Sequence, residues 1–339
     1  MIRLLKMAAL AAPLALTAAA PGPGQERQFG NWAVTCDNVK RCEATALMPA
    51  NWHGDQAPAL DLTREPGAAG QVTIALSPSA ETYGIVDILI DRRLMSSGAI
   101  RDGTITLTGA TAEGLARAMA TGRQVTLRAH GKILGTLSLT GASAAMRYID
   151  AEQGRAGGVT ALVARGKASA AAVPAAKPLP RIQAVKPGKG RAATLPKSET
   201  DALRSKGGCE GYEVFDGLVP SFHRLDDRST LALIPCSSGA YQSSYVLYVI
   251  AGGKVSPAPF DIPPAAGFSA VPLLVEAEWD PAAAELDSRA KSRGLGDCGS
   301  AQSWVWDGQR FRMIRYIALD ACRLSGNYLH RYRAEPVFK

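Results

Sequence analysis

The chain has 339 residues, of which 47% are hydrophobic and 6% aromatic, with six cysteines and a formal net charge of +8. That length is too great for one small core and suits two domains that fold on ordinary hydrophobic burial. Eight basic residues, Arg165, Lys167, Lys177, Arg181, Lys186, Lys189, Arg191 and Lys197, share one stretch with no acid, and without them and Arg3 and Lys6 the formal charge is −2; this excludes a basic domain face for nucleic acid.

Residues 1–19 combine Arg3 and Lys6 with an apolar Ala/Leu run that closes in small residues. This predicts a secretory signal peptide, too short to span a bilayer, and a soluble periplasmic or secreted chain. No cysteine follows it for lipid attachment, and no later window is apolar enough to cross a membrane.

Residues 25–163 predict an α+β domain. Trp32, Val34 and Cys36 alternate to one side, as do residues 72–76 (VTIAL) and 104–108 (TITLT), the mark of half-buried strands. Residues 85–90, 125–129 and 133–139 add further strands. Thr111 predicts the cap of a short helix through Met119, and a second helix is expected over 143–153. A mostly antiparallel sheet with two short helices follows.

Residues 164–198 change to Ala, Pro and Lys/Arg, with Pro174, Pro178, Pro180, Pro187 and Pro196 spaced along them. The composition predicts an unstructured tether, kept soluble by its charges. Its second use would be electrostatic contact with an anionic envelope surface.

Residues 199–339 predict a β-meander or sandwich. Strands are expected at 212–215, 229–235, 245–251, 273–279 and 328–333. Asp280-Pro281 reads as a hairpin turn in preference to a helix start. The clearest hairpin runs from Trp304 to Ile317 about the turn pair Asp307-Gly308.

An exported chain with an even number of cysteines favours disulfides. Their clustering predicts Cys36 with Cys42, Cys209 with Cys236 and Cys298 with Cys322. Zinc is disfavoured because no C-x-x-C occurs and no histidine lies at finger-like spacing. No cofactor is expected, since dinucleotide and phosphate-cradling motifs do not occur.

Several segments carry a family likeness: FGNWAVTCD from Phe29, SLTGASAAMRYIDAEQGR from Ser138, IPCSSGAY from Ile234, AEWDP from Ala277, RGLGDCG from Arg293 and DACR from Asp320. Together they resemble the exported proteobacterial family called domain of unknown function 1176. The first domain alone is similar to invasion-associated locus B proteins through its W-x-V-x-C-D opening and S-L-x-G-x-x-A-A helix entry. The first resemblance implies compartment and architecture; the second implies a non-catalytic envelope protein.

Candidate chemistry is sparse. Four histidines occur, His53, His130, His223 and His330. His223 lies near Ser221, Asp226 and Asp227, but no G-x-S-x-G elbow accompanies them and a loop histidine is the better reading. Glu276, Glu278 and Asp280 alternate to one face, as paired glycosidase acids would, but the solvated face of a plain strand is the better reading. Asp297 in G-D-C-G suits a turn. Trp304 and Trp306, with Tyr316 across the hairpin, form either an exposed binding row or core, and core is the better reading. The expectation is a non-catalytic envelope protein that binds an envelope component, protein or cell wall. The alternatives are a glycan or ester hydrolase using Glu278, Asp280 or His223, and an inhibitor of a wall-degrading enzyme that projects the loop of Cys209 and Cys236.

Overall fold

The computed structural model describes residues 22–52, 57–265, 271–325 and 327–339. The expected signal peptide and His53 lie outside the described residues.

In the first half, strands β1 (Arg27–Phe29), β2 (Trp32–Cys36), β3 (Cys42–Ala46), β4 (Ala59–Arg64), β5 (Val72–Ser77), β6 (Ile85–Ile90), β7 (Arg93–Ala99) and β8 (Ile105–Thr108) lead into helix α1 (Gly109–Met119). Then follow β9 (Gln124–Ala129), β10 (Lys132–Ser138) and helix α2 (Ala142–Glu152). They form an antiparallel six-stranded sheet, β1-β2-β3-β4-β5-β8, and a four-stranded one, β10-β9-β6-β7. Alternation decides what each strand buries. Leu60, Leu62, Val72, Ile74 and Leu76 face inward against Ala112, Leu115 and Met119 of α1 and Ala145, Met146 and Ile149 of α2. Each fully buried aliphatic side chain is worth about 1.5–3 kcal/mol. The first helix starts earlier than its expected Thr111 cap, because β8 passes directly into it through Gly109 at φ +59°.

Residues 164–198 are not a free tether. They lie against the body of the protein, burying Val173, Ile182 and Ala184. Between Pro180 and Pro187 the alternating Arg-Ile-Gln-Ala forms strand β11 (Arg181–Ala184). Ile182 and Ala184 pack on Val305 and Ile314. The prolines flank this strand without interrupting its ladder, which explains why a Pro-rich stretch still pairs.

The second half continues with helix α3 (Lys197–Lys206), β12 (Ser221–Arg224), β13 (Ser229–Ser238), β14 (Ser243–Ala251), β15 (Lys254–Pro257) and β16 (Leu273–Val275). After these come β17 (Glu278–Asp280), β18 (Glu285–Lys291), β19 (Gly299–Trp306), β20 (Phe311–Leu319), β21 (Leu329–Arg333) and β22 (Glu335–Phe338), the last pairing in parallel with β11. One sheet is β12-β13-β14-β15 with β16 also on β14; the other is the meander β17-β18-β19-β20-β21. Leu231, Leu233 and Leu247 of the first meet Leu286, Trp304 and Met313 of the second in a shared core. Helix α3 covers the other face of the first sheet, where Tyr248 Oη donates to Leu203 O at 2.7 Å.

Two strand expectations change. Residues 212–215 form no strand, since Gly208, Gly211 and Gly217 at φ +76°, +78° and +91° turn the chain away from extended pairing. The expected strand over 273–279 is split into β16 and β17 at Glu276, whose φ is +46°. All three predicted disulfides form, Cys36–Cys42, Cys209–Cys236 and Cys298–Cys322.

The outer face of the six-stranded sheet is covered by residues from the C-terminal end of the chain. Ala33 and Leu47 pack with Leu319, Ala321 and Leu329. Arg323 Nε donates to Met48 O at 2.7 Å, and the Thr45 and Ser325 hydroxyls lie 2.7 Å apart. Glu43 on β3 accepts from the backbone N–H of His330 on β21 at 2.7 Å and lies 3.0 Å from its Nδ1.

Candidate interaction site

The aromatic row of the Trp304 hairpin is core. Trp304 and Trp306 are 0% and 2% exposed. Phe260 stands edge-on to Trp304 at 5.2 Å, and Trp306 Nε1 donates to Asp226 Oδ2 at 2.6 Å. Tyr316 is half-buried beneath the Arg331 guanidinium, 5.5 Å from its ring centre. None of the three offers an aromatic platform for a ligand, and of the two readings of the row the packing agrees with the favoured one, core.

The histidine set does not assemble either. His223 Nε2 lies 3.0 Å from Ser221 Oγ, two residues away on the same strand, and burial lowers its pKa. Asp226 is committed to Trp306 and to the backbone N–H groups of Arg228 and Ser229, both at 2.7 Å. Burial alone would raise its carboxyl, but these donors hold it below the usual range. His130 is exposed, 4.8 Å from the Tyr83 ring.

The acids divide between a groove and a turn. A groove of about 680 Å³ lies between the two sheets of the second half, lined by Tyr241, Tyr245, Glu276, Glu278, Arg289 and Arg315 among others. Cross-strand register sets Glu278 opposite Asp287 and Asp280 opposite Glu285. Like charges directly opposite repel, and the sequence supplies Arg315, 3.4 Å from Asp287, to offset them. Burial and the Asp287 charge raise the Glu285 carboxyl. Glu276 accepts from Ser243 N at 2.5 Å. Asp280 is outside the groove and caps its own turn, accepting from Ala282 N at 2.7 Å and Ala283 N at 3.1 Å. Asp297 is held by Arg293 at 2.6 and 2.7 Å and by Leu324 N at 2.7 Å, a structural role. Among the described residues, no group of three or more His, Cys, Asp or Glu is placed to hold a metal ion.

On the α3 side of the first sheet, the loop after α3 projects Tyr212, Phe215 and Val219 into solvent at 60%, 61% and 67% exposure. This loop is braced from within. Cys209 is bridged to Cys236, and Arg204 donates to Tyr212 O at 2.5 Å and to Cys236 O at 2.9 Å. Ser238 N donates to Glu213 O at 2.9 Å, joining the loop to the β13–β14 hairpin. Tyr241 at that hairpin's tip is 71% exposed, with its ring against Gly294 and next to exposed Leu295. A cleft of about 420 Å³ lined by Thr200, Arg204, Phe215, Val219 and Pro235 completes the surface. The sequence reading placed a strand at Tyr212 and Phe215 and missed Val219 and Tyr241. The signals available were the cysteine spacing and the glycines that bound the loop.

Comparison with known proteins gives a consistent but silent background. A family model described as "Protein of unknown function (DUF1176)" matches residues 26–330. A protein of Escherichia coli (strain K12) described as "Uncharacterized protein YpfG" is 30% identical over 336 residues, covering 91% of this chain and 91% of that one. No solved structure matches.

Proposed function

The chain belongs to the DUF1176 family, and from that premise we propose that it is a non-catalytic envelope protein whose Cys209–Cys236 loop binds a second protein. The supporting observation is the disulfide-braced loop bearing exposed Tyr212, Phe215 and Val219 beside exposed Tyr241. Large apolar side chains gathered on one loop, unlike ones scattered singly, mark interaction sites. Three disulfides fit an oxidising compartment, and among the described residues no helix is long and apolar enough to cross a membrane.

The inhibitor of a wall-degrading enzyme is the form of this reading in which the loop enters its partner's cleft. The hydrolase reading is less well supported. It needs Glu278, Asp280 or His223 gathered in one pocket with a perturbed carboxyl, and of the three only Glu278 lines the groove.

The test is photo-crosslinking in the envelope, with the reactive side chain placed at Phe215 in one sample and at exposed Asp102 in another. A dominant protein adduct from position 215 that is absent from position 102 is expected. Equal labelling from both, or glycan alone at 215, would overturn the proposal.

A further inference from the structure

The groove between the two sheets of the second half is not lined by Tyr212, Phe215 or Val219, and its walls are set by one turn of the backbone. Glu276 adopts φ +46°, left-handed for a residue that is not glycine, and there the chain leaves β16 on the first sheet for β17 on the second. Ser243 N donates to the Glu276 carboxylate at 2.5 Å, and Ser243 O accepts from the Glu276 N–H at 2.8 Å. Next to it, the Gln242 side-chain amide bonds both the N–H and the carbonyl of Lys291, at 2.5 and 2.9 Å. The tip of the β13–β14 hairpin is thus tied to the crossing chain and to the end of β18. The space of about 680 Å³ between them has fixed walls.

The charges in this groove are ordered along it. Strand β18 sends Asp287, Arg289 and Lys291 to one face, and all three line the groove. Glu278 lies directly across from Asp287 on β17 and so shares that face. Asp287 is already occupied. Ser303 Oγ donates to it at 2.5 Å, and Arg315, which also donates to Ser303 at 2.9 and 3.1 Å, stands 3.4 Å away. Among the described residues the side chains of Glu278, Arg289 and Lys291 make no ion pair or hydrogen bond.

One free carboxylate therefore stands toward one end of the groove and two free cations toward the other. Successive residues on one face of a strand are about 7 Å apart, so the step from the Glu278–Asp287 pair is about 7 Å to Arg289 and about 13 Å to Lys291. An ion pair needs its charges within about 4 Å. The spacing of the strand thus keeps the free carboxylate and the free cations from neutralising one another, and a ligand can bridge them.

We propose that the groove binds a short peptide with both termini free, its ammonium at Glu278 and its carboxylate at Arg289 and Lys291. Three or four extended residues span about 10–14 Å, the length between these charges. Both end contacts are charge-assisted hydrogen bonds, the stronger class, and a concave site focuses the field of each charge. A neutral sugar answers neither end, and a simple ion answers only one. Tyr241 and Tyr245 supply aromatic walls for the side chains in between.

The test is isothermal titration calorimetry of the full chain with trialanine and tetraalanine, against the same peptides N-acetylated or C-amidated. The free peptides are expected to bind, and each blocked form to bind about tenfold more weakly, the scale of one charge-assisted contact. Glu278→Gln should erase the penalty of acetylation and keep that of amidation. The double change Arg289→Gln and Lys291→Gln should do the reverse. No binding of the free peptides at millimolar concentration, equal binding of free and blocked forms, or an acetylation penalty that survives in Glu278→Gln would overturn the proposal. Should a variant fail to fold, the blocked peptides on the unaltered protein still decide. Photo-crosslinking at Phe215 reports the partner surface alone, so the two proposals stand or fall separately.

Discussion

Replacing Glu43 by glutamine tests the contact that joins the two ends of the chain. Glu43 is 7% exposed on β3, and its carboxylate meets Arg41 from its own half and His330 from β21. Burial by itself would raise its carboxyl; the hydrogen bonds from His330 and the charges of Arg41 and His330 instead bring it from 4.5 to about 2. A folded-state value below the unfolded one stabilises the fold above the unfolded value and is lost as pH falls through the folded one. At neutral pH the difference corresponds to about 3 kcal/mol, and it disappears between about pH 4.5 and 2. Glu43→Gln keeps an acceptor for the His330 N–H but removes the charge, leaving Arg41 with only Glu65, at 2.8 Å. Urea unfolding at pH 7 is expected to show a loss of about 2–4 kcal/mol. The gap between variant and parent should narrow as pH falls from 5 and close near pH 2. Equal stability at pH 7, or a gap that persists at pH 2, would refute the assignment of this stabilisation to the ionised Glu43.

Other outcomes follow from single contacts. Trp306→Phe keeps the core ring but leaves Asp226 Oδ2 without its indole donor; a loss of about 1.5–3 kcal/mol in urea unfolding is expected. The double change Cys209→Ser and Cys236→Ser opens a bridge of 27-residue separation, costing about 3.5 kcal/mol in the chain-entropy view. It should also weaken photo-crosslinking at position 215, whereas preserved capture would show that bracing is dispensable. Glu285 has a raised carboxyl, caused by burial and by Asp287; a raised acid favours the fold when protonated and loses that advantage as pH rises. Glu285→Gln is therefore expected to raise the unfolding midpoint at pH 7 and to leave it unchanged at pH 3, as read by calorimetry.

Near-neighbour features were legible in the sequence because short-range spacing determines them. The three disulfides join cysteines separated by 6, 27 and 24 residues, and clustering identified them. The alternating strands and the Trp304 hairpin are likewise local, since residues two apart must share a face. The same period is blind to which face is covered. Trp304 and Trp306 were known to lie together, but only the packing of Leu231, Leu233 and Leu247 across the interior made them core. Glu43 and His330 are 287 residues apart, and no local pattern announces such a pair. Residues 164–198 show the contrast most plainly: their composition alone predicts a free tether, yet Ile182 and Ala184 bury against Val305 and Ile314 while β22 pairs with their backbone. Composition reports what a segment can bury by itself. The apolar surface that a distant strand offers it exists only once the chain has folded.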